Sequence, residues 1–182
     1  MRLEISPLNR IAAWLLAGLC LPLLASADIA IRDPQALAPT PRLADEVLVL
    51  KAERKLYLLR DGEIMREFDI MLGLQPEGHK QREGDFRTPE GRYLLDFRNP
   101  DSDFFLSVRV SYPDYNDRKR AARKGANPGG QIMIHGLPND RRYPEHYYLS
   151  QDWTNGCIAV SDADMIDIWL MTRENTPIEI RP

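Results

Sequence analysis

The chain is poor in the two residue types that carry most nucleophilic and metal chemistry. Its 182 residues include two cysteines and three histidines. None of these five stands in a close pair of the CxxC or HExxH kind, the spacing that marks many zinc sites. A basic excess is also missing: 24 lysines and arginines face 27 acidic residues, for a net charge of −3. A general nucleic-acid binder would be clearly basic, so that class is set aside and no nucleic-acid partner is expected. There is no internal repeat.

Long apolar stretches are scarce too. The one that exists, "IAAWLLAGLCLPLLASA" (Ile11 to Ala27), follows Arg2 and Arg10 and ends in small residues. This is the pattern of an export signal cut after Ala27, so residues 1–27 are expected to be a signal peptide. The run falls short of the roughly 20 residues of a spanning helix, and Pro22 interrupts it, so no stable membrane anchor is expected after cleavage. Leu19 stands where a lipoprotein cut before Cys20 would need a small residue. Removing 27 residues leaves 155 and shifts the charge to −4, since the segment carries two arginines and one glutamate. Residues 28–45, with Pro34, Pro39 and Pro41, read as an extended lead-in. Residues 46–182 are long enough for one domain with a core of its own.

Cleavage would remove Cys20 and leave Cys157 alone. An exported chain meets an oxidising environment in which thiols usually pair. A leftover cysteine there is a working thiol, a bridge to another chain, or an inert apolar residue. Its surroundings have to decide.

Short apolar runs separated by turns dominate the rest. Val47 to Leu50 suits a buried strand. Lys55 to Arg60 and Ile64 to Leu72 flank Asp61-Gly62, a two-residue hairpin signal. In the second arm Ile64, Phe68, Ile70 and Leu72 are expected on one face, and Met65, Glu67 and Asp69 on the other. Further strands are expected in "RTPEGRYLLDF", "FFLSVRV", "QIMIH", "CIAV" and "TPIEIRP". "DYNDRKRAARKG" reads as a helix ending at Gly125. "SDADMIDIWLMTR" reads as a second, capped by Ser161 and Asp164, with Met165, Ile168, Trp169 and Thr172 at helical spacing. The sum is a β-rich mixed α/β domain with a few short helices.

A nucleophilic Cys157 needs a base, and His135 is the best placed. It ends the apolar strand "IMIH", before Gly136, while Cys157 opens another strand after Thr154, Asn155 and Gly156. Side-by-side strands would bring thiol and imidazole within reach. The turn at Asn155-Gly156 would aim backbone N–H groups at one spot, as an oxyanion requires; an ordinary tight turn is the plainer account. The polar and aromatic loop between the two strands is long enough to bind a ligand. Gly136, Thr154, Trp153 and His146 are its candidate substrate-binding residues. Trp153 and the Tyr147-Tyr148 pair serve equally as anchors for that loop. His79 sits in a charged loop, and "DRKRAARK" is either an anion attractant or a solvated helix face.

"IMIHG" followed by "TNGCIAVSDADM" resembles the L,D-transpeptidase catalytic domain (YkuD-like) family. Thr154-Asn155-Gly156-Cys157 and His135-Gly136 match its motif positions. "KLYLLRDGEIMREFDIMLG" resembles its opening hairpin, and "GDFRTPEGRYLL" its turn and strand. The resemblance covers Glu46 to Pro182. It implies a β-sandwich enzyme without cofactor or metal, in the periplasm, in which Cys157 forms a thioester with a peptidoglycan stem peptide and His135 moves the proton. Many members carry arginine where this chain has Ala159. Cys-Ile-Ala-Val instead resembles a branch typified by an amidase that detaches a lipoprotein from peptidoglycan, so hydrolysis and a peptidoglycan-linked lipoprotein partner stay open. Two other classes also stay open: a zinc site built from His79, His135, His146 and Cys157, and a wall-binding module without catalysis.

Overall fold

The computed structural model describes residues 42–182; the expected signal peptide and nearly all of the lead-in lie outside them. Among the described residues no helix is long and apolar enough to cross a membrane. Eight strands form one sheet: β1 (Glu46–Leu50), β2 (Lys55–Arg60), β3 (Glu63–Asp69), β4 (Gly91–Ser102), β5 (Phe105–Val110), β6 (Met133–His135), β7 (Ile158–Ala159) and β8 (Thr176–Arg181), in the order β3-β2-β1-β8-β4-β5-β6-β7. The sheet curls until its edges meet. Met71, just beyond β3, and Ala159 in β7 exchange two backbone hydrogen bonds of 2.8 and 2.9 Å. The curled sheet encloses the core, including Val47, Leu56, Leu58, Leu95, Val108, Ile134, Ile158 and Ile178.

Three helices complete the described residues: α1 (Tyr115–Arg123), α2 (Glu145–Tyr148) and α3 (Asp162–Met171). Asp114 and Asp117 cap α1 reciprocally, and Ser161 caps α3 by accepting from the Asp164 N–H. Met165 and Ile168 of α3 are fully buried, and the helix packs on β5 and β6. The fold is thus the expected β-rich mixed α/β one.

Two local expectations fail. The β2–β3 hairpin turns at Asp61-Gly62, but a bulge shifts its register beside Leu58 and Leu59. The bulge inserts Met65 as an extra residue and reverses the alternation before it, so Ile64 is 62 % exposed while Met65 packs on the core. The α2 helix was not expected inside the long loop. Its four residues, after Pro144, are too few to show a helical period.

Candidate active site

Two neighbouring strands carry the pair singled out from the sequence. β6 and β7 run parallel, with Ile134 beside Ile158 and His135 beside Ala159. Side chains alternate along a strand, so residues two apart share a face. Cys157, one residue before β7, therefore lies on the same face as Ala159 and diagonally across from His135. Both residues line one cavity of about 640 Å³.

The turn before Cys157 is held from within. The Thr154 hydroxyl donates to the Cys157 carbonyl at 2.7 Å and accepts from the Gly156 N–H at 3.1 Å. Gly156 has φ +124°, and a Cβ there would sit 2.6 Å from the Arg87 carbonyl oxygen, so only glycine fits. The two backbone donors expected at this turn differ in their bonding. The Gly156 N–H is already bonded to Thr154, whereas the Cys157 N–H has no hydrogen-bond partner among the described residues. Asn155 lines the cavity and is exposed. Upstream, the Asp152 carboxylate accepts from the Arg54 guanidinium at 2.7 Å and from the Leu72 N–H at 2.8 Å, tying the turn to the body of the sheet.

His135 is 4 % exposed. Its Nδ1 lies 2.7 Å from the Gly136 carbonyl oxygen. A carbonyl only accepts, which assigns the proton to Nδ1 and leaves Nε2 as the basic nitrogen. Phe104, from the β4–β5 turn, packs on the imidazole at 4.6 Å between ring centroids, and Trp153 meets it edge-on at 5.7 Å. This apolar box lowers the imidazole pKa to about 4, because burial disfavours the cation more than the Gly136 carbonyl supports it. Burial likewise pushes the Cys157 thiol up, opposed by a hydrogen bond from the Met133 backbone and by the Lys80 charge. The thiol itself donates to the Gln131 carbonyl at 3.5 Å. At neutral pH the cavity thus holds a thiol and a neutral imidazole on neighbouring strands, the imidazole with Nε2 unprotonated.

The other expected residues divide. Trp153 lines the cavity and is anchored by its indole N–H, which donates to the Tyr148 carbonyl at 3.0 Å. Tyr148 is buried beneath the loop and packs on Trp153, whereas Tyr147 is exposed; neither lines the cavity. Gly136 is closely packed and is not part of the cavity wall: a Cβ there would meet Asp162 Oδ1 at 2.6 Å. His146 lies exposed on α2, away from the cavity wall. His79 bonds the Glu90 backbone and Asp117. The four residues of the zinc alternative therefore do not converge, and no group of three or more potential ligands gathers among the described residues.

Sequence reasoning missed Lys80, Phe104, Gln131 and Asn139. Gln131 has φ +57°, which turns its carbonyl toward the thiol. Asn139 clamps the β4–β5 turn: its side chain accepts from the Phe105 N–H at 2.9 Å and donates to the Ser102 carbonyl at 2.8 Å. It thereby sets Phe104 over His135. No motif marks these residues, since each works through a partner distant in sequence.

The model of one protein family, described as the L,D-transpeptidase catalytic domain (YkuD), matches residues 44–180. A putative L,D-transpeptidase of Escherichia coli K12, YafK, is 39 % identical over 97 residues, covering 50 % of this chain and 37 % of its own length. The helical cell shape determining protein Pgp2 from Campylobacter jejuni is 28 % identical, with a TM-score of 0.56 over 75 % of this chain and 46 % of that one. An L,D-transpeptidase from Mycobacterium smegmatis, 14 % identical, shares the fold with a TM-score of 0.50 over 75 % of this chain and 58 % of its own. The match spans less than half the length of YafK and of Pgp2.

Proposed function

The chain belongs to the L,D-transpeptidase catalytic domain family, and from that premise we propose that it is an exported, periplasmic acyltransferase that uses Cys157 on peptidoglycan stem peptides. What supports the reading is the shared face of β6 and β7, on which Cys157 and a neutral, buried His135 line one cavity.

In the first half-reaction Cys157 Sγ attacks a stem-peptide carbonyl carbon, and its proton passes to His135 Nε2. The oxyanion faces the Cys157 N–H. Collapse breaks the C–N bond, His135 returns the proton to the leaving amine, and a thioester remains. An acceptor amine then attacks the thioester, giving its proton to His135. The C–S bond breaks and the thiol is reprotonated. Trp153 and Phe104 pack on the imidazole and keep it in an apolar setting during the first half-reaction.

Ala159 favours a second reading. It follows Cys157 by two residues on the same face, is fully buried, and supplies no cation. With water in place of the amine the same steps hydrolyse the thioester, and a lipoprotein attached to the stem would be released.

Mass spectrometry of products distinguishes these readings. The mature protein is incubated, in reductant, with tetrapeptide muropeptides and with lipoprotein-linked muropeptides, beside Cys157→Ala. Cross-linked or exchanged products support transfer, and free lipoprotein peptide without cross-links supports the amidase. Turnover that survives in Cys157→Ala would reject the thiol mechanism, and absence of turnover in both leaves the wall-binding module as the account.

A further inference from the structure

Lys80 stands out in the cavity wall. It is 3 % exposed and is the one cationic side chain among the described residues that line the cavity. Its Nζ donates to Asp85 Oδ1 at 2.8 Å. An ammonium has three N–H donors, and this is the one hydrogen bond it makes among the described residues. Burying such a group with donors unspent is costly unless something else fills them.

Asp85 is the counter-ion of Lys80, and against its burial the lysine holds its carboxyl below the usual carboxylate range, but the lysine is not its sole hydrogen-bond donor. Its two oxygens also accept the backbone N–H groups of Gln81, Arg82 and Arg87. The loop wraps the carboxylate in backbone donors and leaves the ammonium to face the cavity. The acidic residues on the same wall, Glu83 and Asp103, are exposed. Water and salt screen their charge far more than that of a buried cation. The cavity is therefore apolar around His135 and offers, at Lys80, the unspent N–H donors of a paired ammonium whose charge reaches the Cys157 thiol.

We propose that Lys80 is an anion seat and that it holds a carboxylate of the substrate while Cys157 attacks. The assignment rests on the function proposed above, and it adds a specificity-determining residue: a stem peptide whose carboxylate is free is preferred to one whose carboxylate is amidated. The same ammonium offsets negative charge as the sulfur loses its proton.

Cys157 itself is the probe. Iodoacetate and iodoacetamide alkylate a thiol by the same displacement, but iodoacetate alone carries a carboxylate. The ratio of their rate constants, compared with the ratio for free N-acetylcysteine, reports the field at the sulfur without any turnover. In the wild-type protein the ratio is expected to exceed the free-thiol value by at least about fivefold. It should return to that value in Lys80→Gln and stay raised in Lys80→Arg, with circular dichroism showing that both variants are folded. A wild-type ratio at or below that of the free thiol overturns the proposal, and this comparison needs no variant. A raised ratio that persists in a folded Lys80→Gln also overturns it. With tetrapeptides, Lys80→Gln should raise KM about tenfold for the free carboxylate and leave the amidated substrate unaffected. A raised alkylation ratio without turnover would refute the transferase reading and keep the anion seat.

Discussion

At the scale of single residues, the same burial acts in opposite directions on two groups. It raises the Cys157 thiol and lowers His135 to about 4. Each shift disfavours the charged form, so the resting pair is neutral rather than a thiolate–imidazolium couple. His135 then couples folding to pH. Its folded pKa lies below the unfolded value of 6.5, so between about 4 and 6.5 the unfolded chain binds more protons than the native one. Its contribution to stability is fully present above 6.5 and is lost as the pH falls through that window. The loss reaches about 3 kcal/mol at the lower end. Denaturant titrations from pH 7 to pH 4 should show it, and His135→Gln should remove most of the slope. A slope unchanged in the variant would mean that another group carries it. The neutral pair has a kinetic counterpart in the same picture: iodoacetamide alkylation of Cys157 should keep rising past pH 9 rather than level off in the acid range.

At the scale of elements, the turn from Thr154 to Cys157 sets the position of the nucleophile, and Thr154 is its brace. The hydroxyl serves both the Cys157 carbonyl and the Gly156 N–H in a buried setting. Thr154→Val keeps the shape and removes both bonds, leaving the two backbone groups unsatisfied. The expected cost is about 2 kcal/mol of stability. A displacement of about 1 Å at the thiol would lower kcat/KM by about 100-fold. Thr154→Ser restores the hydroxyl and should recover most of both; an inactive serine variant would show that the methyl group matters instead. The elements also show what a sequence can disclose. The β2–β3 turn, the Ser161 cap of α3, and the neighbouring strand ends that carry His135 and Cys157 were legible, because each is written in adjacent residues or in strands of fixed period. The Met65 bulge was not, because it depends on how two strands pair. Asn139, Phe104 and Lys80 were not, because their meaning lies in contacts across 34 residues for Asn139 with Phe105, or in the shape of a cavity.

At the scale of the molecule, the thiol sits beside the seam that closes the sheet. Ala159 bonds to Met71 on one side and pairs with His135 on the other, and its side chain is fully buried. The seam thus joins the far edge of the β3–β2–β1 half to the strands that carry the candidate catalytic pair. A residue larger than alanine at 159 would meet that closed interior. An arginine there would be charged, and the one buried acidic side chain among the described residues, Asp117, lies on α1, so the cost is expected to exceed about 3 kcal/mol. For a domain of this size that is a fall in Tm of about 10 °C. The amides of Met71 and Ala159 in Ala159→Arg should also exchange with solvent faster than in the wild-type chain, as the seam opens. An unchanged Tm with protected amides would show instead that the arginine reaches the cavity without disturbing the seam. In that case the lack of a cation at 159 reflects chemistry rather than space, and products of Ala159→Arg should shift from hydrolysis toward transfer.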